Sequence, residues 1–60
     1  MTLDEARDHI GDRVTYRAGG DLAEDGVITG VGGLVFVLYD GGWQPQATYP
    51  GDLTLAGEPP

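Results

Sequence analysis

The 60-residue chain has no cysteine, no lysine and no serine, and His9 is its single histidine. Without cysteine it forms no disulfide and offers no thiolate to zinc. The missing serine, lysine and cysteine remove most covalent nucleophiles, and a Walker-type phosphate loop requires a lysine. The sequence therefore predicts no enzyme activity, no catalytic residues, no cofactor and no metal site.

Basic residues are scarce as well, with three Arg against ten Asp and Glu and a formal net charge of −7. Because contacts to phosphate supply most of the affinity for nucleic acid, nucleic-acid binding is not expected. The negative field repels anionic membrane surfaces and attracts basic partners. A protein partner of basic character is one interpretation, and charge that only keeps a small domain soluble is the other.

The chain also has no long apolar run. The longest, residues 34–39, has six residues, whereas a membrane-spanning helix needs about 20. The first residues are acidic, unlike the basic start of a signal peptide, so we expect no membrane insertion and a cytoplasmic location. A chain of this length supports one hydrophobic core. We assign residues 1–56 to a single domain and residues 57–60 to a flexible tail.

Thr2 and Glu5 have the spacing of a capping box, in which each side chain accepts a hydrogen bond from the other's backbone N–H. This predicts a helix over about residues 3–10, ended by Gly11, which readily adopts the left-handed conformation. His9 lies late in this helix, four residues after Glu5, where a protonated imidazole favours the negative end of the helix dipole. The helix carries a narrow apolar stripe for docking, made of Leu3, Ala6 and Ile10.

After the helix the apolar pattern changes to alternation, which predicts β-strands. In the first strand Val14 and Tyr16 share one face, and in the second every other residue from Val27 to Val31 does. The third strand is apolar on both faces, as expected for a strand that is covered on both sides. Pro45 in the fourth strand indicates an edge or a bulge. The predicted strands are residues 13–17, 27–31, 34–39, 43–49 and 53–55.

Glycines mark the predicted turns. Gly32 and Gly33 suit a type I′ hairpin turn, which needs positive φ at both central positions. Residues 40–42 form a second tight turn, and residues 49–53 are predicted to form a turn or one turn of 3₁₀ helix. Residues 18–25 form a polar, glycine-rich loop. Its carboxylates lack the spacing of a calcium-binding loop and are interpreted as solvated charges: Asp21, Glu24 and Asp25.

Several segments in series resemble the SH3-like small barrels, which include SH3, Tudor and KOW domains. Residues 10–16 (IGDRVTY) are similar to the "GD-x-V" opening of such barrels, residues 24–28 (EDGVI) to the start of their second strand, and residues 35–40 (VFVLYD) to their third. Residues 47–53 (ATYPGDL) resemble the segment that leads into their last strand. The resemblance implies a mainly β fold, a five-stranded SH3-like small barrel over about residues 12–56 with a short N-terminal α-helix.

Four aromatic residues are candidates for contact with a partner: Trp43, Tyr49, Tyr39 and Tyr16. Trp and Tyr most often supply the binding energy of interfaces, and Trp43 and Tyr49, each beside a turn, are the first choices. The resemblance to Tudor domains implies an aromatic cage for methylated lysine or arginine. The alternative is that Phe36 and one or two of the tyrosines only fill the core.

Together these observations favour a non-enzymatic protein–protein interaction module. The sequence also resembles small uncharacterised proteins of actinobacterial bacteriophages, which implies an accessory protein that binds a host protein in the host cytoplasm. Two alternatives stay open. One is a self-associating small barrel that forms a homo-oligomer within a larger assembly, and the other is an acidic mimic of nucleic acid that binds a DNA-binding protein.

Overall fold

The structure is a computed structural model that describes residues 1–17 and 23–56. Its elements are helix α1 (Leu3–Asp8), strands β1 (Arg13–Tyr16), β2 (Glu24–Val31), β3 (Val35–Tyr39), β4 (Gln46–Thr48) and β5 (Leu53–Leu55), and a 3₁₀ turn (Pro50–Asp52). The strands form one antiparallel sheet in the order β4-β3-β2-β1-β5. The predicted mainly β fold with a short N-terminal helix is confirmed. β4 and β5 are the edges of the sheet, and no pairing between them closes it within the described residues.

The capping box at the start of α1 is confirmed. The Glu5 backbone N–H donates to Thr2 Oγ1 over 3.1 Å, and the Thr2 N–H donates to Glu5 Oε1 over 3.2 Å. Two backbone donors that a helix N-terminus otherwise leaves unpaired are thereby satisfied. Since a helix of this length does not persist alone in water, these bonds and the docking of Ala6 hold it in place.

Removing the cap tests how much it contributes. Thr2→Ala should lower the free energy of unfolding by about 1 kcal/mol, the typical contribution of an N-cap side chain. Urea unfolding followed by circular dichroism measures the change. Thr2→Ser keeps the hydroxyl and should unfold like the wild type, so an equal loss in both variants would contradict a role for the cap.

The helix ends at Asp8, earlier than the predicted boundary at residue 10. The reason is that the chain after it is bound to β2, where the Gly11 N–H donates to the Ile28 carbonyl over 2.8 Å and the Ile28 N–H donates to the Asp12 carbonyl over 3.1 Å. Gly11 has the positive φ expected of it, 94°. Ile10 consequently lies in the turn and is 52% exposed, so its assignment to the buried stripe was wrong.

The helix packs on the sheet of its own chain. Ala6 is fully buried against the core, and Leu3 packs at its margin. The backbone nitrogen of Met1 donates to the carbonyls of Pro50 (3.0 Å) and Leu53 (3.1 Å), which ties the start of the helix to the other end of the chain. The fully buried core is small and lies on one face of the sheet: Ala6, Val14, Ile28, Val35, Val37 and Leu53.

An irregularity in β2 changes which residues share a face. Ile28 pairs with Val37, and the register then shifts so that Val31 pairs with Val35. Val35 and Val37 are both buried, so Ile28 and Val31 lie on the core face, with an extra residue, Thr29, between them. The prediction that Val27, Thr29 and Val31 share one face was therefore wrong, because strict alternation does not continue through a bulge.

The outer face of β3 is not covered by another layer. Phe36 is 41% exposed and Leu38 half-buried there, while Val35 and Val37 on the other face are buried. The expectation that this strand is covered on both sides was wrong, because α1 is the one helix the described chain offers and it packs on the core face. Phe36 is thus only partly a core residue.

Of the two turns predicted from glycine pairs, one is confirmed and the other has a different conformation. At residues 40–42 the prediction is confirmed, with Gly41 at φ 82° and the Gly42 N–H donating to the Tyr39 carbonyl over 2.9 Å. Gly32 and Gly33 do connect β2 and β3, but neither has φ in the left-handed region, so the type I′ assignment was wrong. The connection here is one residue longer than a two-residue hairpin, since Val31 pairs with Val35.

The segment between β1 and β2 is shorter than expected. β2 begins at Glu24, so Glu24 and Asp25 are strand residues and not loop charges, whereas Asp21 lies outside the described residues, as does the predicted tail. β4 is an edge strand, as Pro45 predicted, but it is only Gln46–Thr48. The predicted strand over residues 43–49 was therefore too long, and Pro45 precedes β4 instead of lying within it. The 3₁₀ turn at Pro50–Asp52 also agrees with the sequence. In the described ranges no helix has the length and apolarity needed to cross a membrane.

Candidate functional site

A half-open pocket of about 510 Å³ lies on the core face of the sheet. It lies where β1 and β3 end and β2 and β4 begin, so antiparallel pairing brings four strand termini together. We call it the tyrosine pocket, after three of the residues that line it. Its principal side chains are Tyr16, Tyr39, Tyr49, Glu24, Asp52 and Gln46.

Tyr16 and Tyr39 form the floor of the pocket. Both are on the same face as the buried valines and pack against the core, yet both also line the cavity. Their rings meet edge to face, with centroids 5.9 Å apart and planes at 72°, the arrangement that aromatic quadrupoles favour. The Tyr39 hydroxyl lies 2.7 Å from Thr48 Oγ1 on β4, which fixes the orientation of this ring.

The 3₁₀ turn and the residue before it supply the opposite wall. Tyr49 caps the turn and is 70% exposed, and Asp52 ends it. The turn is held by the Asp52 N–H, which donates to the Tyr49 carbonyl over 3.1 Å, and by the Arg17 N–H, which donates to the Asp52 carbonyl over 2.9 Å. These backbone bonds hold Tyr49 and Asp52 beside the end of β1.

Among the described residues, two carboxylates and no basic side chain line the pocket. Glu24 lies opposite Tyr16 in the sheet register, and Asp52 directly precedes Leu53, which pairs with Tyr16 on the other side. Burial raises the pKa of the Tyr39 hydroxyl, the hydrogen bond with Thr48 opposes that change, and the charges of Glu24 and Asp52 raise it further. Both carboxylates are thus close enough to act on the floor of the pocket.

The raised pKa of Tyr39 predicts a late titration. A phenol whose pKa is higher in the folded state stabilises the fold fully below pH 10, its ordinary pKa, and that stabilisation is lost as pH rises through the raised value. We expect the Tyr39 phenolate to appear above pH 10 when the ultraviolet absorbance of the folded protein is followed with pH. Tyr39→Phe should remove this late component, and its persistence in the variant would contradict the assignment.

The structure brings together three of the four aromatic residues predicted for partner contact. Tyr16, Tyr39 and Tyr49 line the tyrosine pocket, and the first two also serve the core, so the two interpretations of these rings are not exclusive. Trp43 does not line the pocket. It lies in the connection between β3 and β4, at the same end of the sheet, and is 88% exposed.

Two side chains of the pocket were not recognised as site residues in the sequence. Glu24 was assigned to a solvated loop and Asp52 to a turn, although both line the pocket. The signal that locates Glu24 is the register of the first hairpin, in which Tyr16 faces Glu24 and Val14 faces Gly26. Asp52 is placed by the 3₁₀ turn, which the sequence does indicate.

A smaller concavity of about 300 Å³ lies near His9 and Arg13. Its polar side chains are paired within the chain, because His9 Nδ1 lies 2.9 Å from Asp12 Oδ2 and Arg13 Nη2 donates to Asp40 Oδ2 over 2.7 Å. The partner of His9 is thus Asp12, and not Glu5, which lies one helical turn earlier. Over residues 1–17 and 23–56, no three His, Cys, Asp or Glu side chains are grouped so that they could hold a metal ion.

Comparison with known proteins gives no match: no family model, no curated protein and no solved structure is significantly similar to this chain.

Proposed function

We propose that this chain is a non-enzymatic module that binds a segment of a partner protein through the tyrosine pocket. The observation that carries the proposal is the convergence of Tyr16, Tyr39 and Tyr49 with two carboxylates around one concavity of about 510 Å³. That volume is within the range of ligand sites, about 300 to 1,000 Å³. Exposed tyrosine rings lose little side-chain entropy on contact and supply much of the binding energy at interfaces.

The half-open form of the pocket favours part of a larger molecule over an enclosed small ligand. Its floor is preformed, since the rings of Tyr16 and Tyr39 are held by the core and by the bond to Thr48. Its rim includes the exposed ring of Tyr49, and Trp43 projects from a connection at the same end of the sheet. A peptide segment with one side chain in the pocket could also reach Trp43.

For the fold, we propose that the sheet curls into an SH3-like small barrel. Support comes from the strand order, in which β5 pairs with β1 and places the last strand beside the first. Neighbouring strands are about 4.8 Å apart, so the edges of a flat five-stranded sheet would be separated by about 19 Å. The connection from β4 to β5 is four residues, three of them in a 3₁₀ turn, and reaches at most about 15 Å. A curled sheet satisfies this connection.

A displayed library of random peptides tests the binding function. Peptides selected on the immobilised wild-type chain should lose binding to Tyr49→Ala and keep it with Phe36→Ala, which removes an exposed ring from the opposite face of the sheet. Circular dichroism verifies that both variants fold. The proposal is contradicted if no peptide is selected, or if the selected peptides bind Tyr49→Ala as well as the wild type.

A further inference from the structure

We infer that the tyrosine pocket is a site for the guanidinium group of an arginine side chain on a basic partner segment. This inference rests on the proposed binding function and specifies the chemistry of its ligand. The observation that supports it is that three tyrosine rings line the same pocket as the carboxylates of Glu24 and Asp52.

The aromatic rings favour a cation that is flat and weakly hydrated. Cations are attracted to the faces of aromatic rings, and guanidinium is more weakly hydrated than ammonium and stacks on such faces. Tyr16 and Tyr39 meet edge to face, at 72°, and so do not form two parallel walls. A planar group can lie along one ring and point its edge at the carboxylates.

The polar groups of the pocket favour a cation with several N–H donors. Glu24 and Asp52 can only accept hydrogen bonds when ionised, and the amide of Gln46 adds a further acceptor. Guanidinium carries five N–H donors in a plane and can reach acceptors on two sides, whereas a lysine ammonium is a compact point charge. A trimethylated ammonium has no N–H donor, so it would leave these acceptors desolvated and unpaired.

Charge complementarity extends beyond the pocket. The chain has a formal net charge of −7. Arg13 is paired with Asp40 and Arg7 with Asp4, and Arg17 does not line the pocket. The field at the pocket mouth therefore attracts a basic segment and speeds its encounter with the protein.

Four blocked pentapeptides of sequence Gly-Ala-X-Ala-Gly, with X as arginine, citrulline, lysine or trimethyllysine, test the inference. Citrulline keeps the shape of arginine without its charge. NMR titration of the full chain should show the arginine peptide binding at least roughly ten-fold more tightly than each of the other three, because charge-assisted hydrogen bonds to planar acceptor groups require both the charge and the donors. Tyr49→Ala and Glu24→Gln should each weaken the arginine peptide by a similar factor, while Phe36→Ala should not.

Each other outcome overturns the inference. Tightest binding of trimethyllysine would identify a methylammonium cage instead, and equal binding of arginine and citrulline would remove the role of charge. The absence of arginine-dependent binding would also contradict the inference. These failures are distinct from failure of the proposed function, since Tyr49-dependent peptides from the random library would still establish a binding pocket with another ligand.

Discussion

Gly26→Val should strongly lower the unfolding midpoint of the protein in both heat and urea. Gly26 is buried in β2, and a Cβ at this position would lie 2.7 Å from both the Leu38 carbonyl oxygen and Val37 Cγ1, and 3.0 Å from Tyr39 Cα. The nearest atoms include backbone of the neighbouring strand, which cannot move without breaking the pairing of β2 with β3. We expect a loss of about 3 kcal/mol or more, a large part of the stability of so small a domain.

Gly30→Ala is the matched control for this prediction. Gly30 lies in the same strand, its φ is not in the left-handed region, and nothing lies within 4 Å of where its Cβ would be. Its substitution should change the free energy of unfolding by less than about 1 kcal/mol. Thermal and urea unfolding followed by circular dichroism measure both variants. Two variants of equal stability would contradict the close packing of β2 on β3.

The second large effect is expected from reversing one charge in the pocket. Glu24→Lys should weaken binding of the arginine pentapeptide by about thirty-fold, or roughly 2 kcal/mol, because it removes an acceptor and places a cation where the guanidinium would lie. The figure is modest because Glu24 is exposed and its charge is partly screened by solvent. Binding is measured by NMR titration near physiological ionic strength. The Debye length is then about 8 Å, so charges far from the pocket are largely screened and the effect of residue 24 is measured.

Asp8→Lys distinguishes an effect of charge at the pocket from an effect of the net charge of the protein. It makes the same change, adding two charges to a net charge of −7 to give −5, but on the exposed end of α1. Its effect on binding should be less than about two-fold, since distant exposed charges are screened. Equal losses in the two variants would show that the peptide responds to the net charge of the protein and not to a site.

The elements that the sequence predicts correctly are those decided by local chemistry. The capping box depends on two side chains and their own backbone, and the turn at Gly41 depends on a residue free to adopt positive φ. The edge position of β4 follows from Pro45, which lacks a backbone donor for a ladder. Each of these features is contained within a few consecutive residues.

The features that the sequence does not reveal depend on pairing between distant residues. The irregularity at Thr29 moves Val27 and Val31 to opposite faces, and nothing in an alternating apolar segment indicates where alternation stops. In the same way Glu24 belongs to a strand because it pairs with Tyr16, although acidic residues are depleted in strands. The aromatic members of the pocket could therefore be proposed from the sequence, while its carboxylates could not.

The position of arginine in the complex is the most direct test of the proposed arginine site in the tyrosine pocket. With the tyrosine and phenylalanine rings isotope-labelled, nuclear Overhauser effects between the arginine side chain of the pentapeptide and the protein identify the rings it contacts. We predict effects to Tyr49 and to at least one of Tyr16 and Tyr39, and none to Phe36 on the outer face. Contacts to Phe36, with the three tyrosine rings unaffected, would contradict the account.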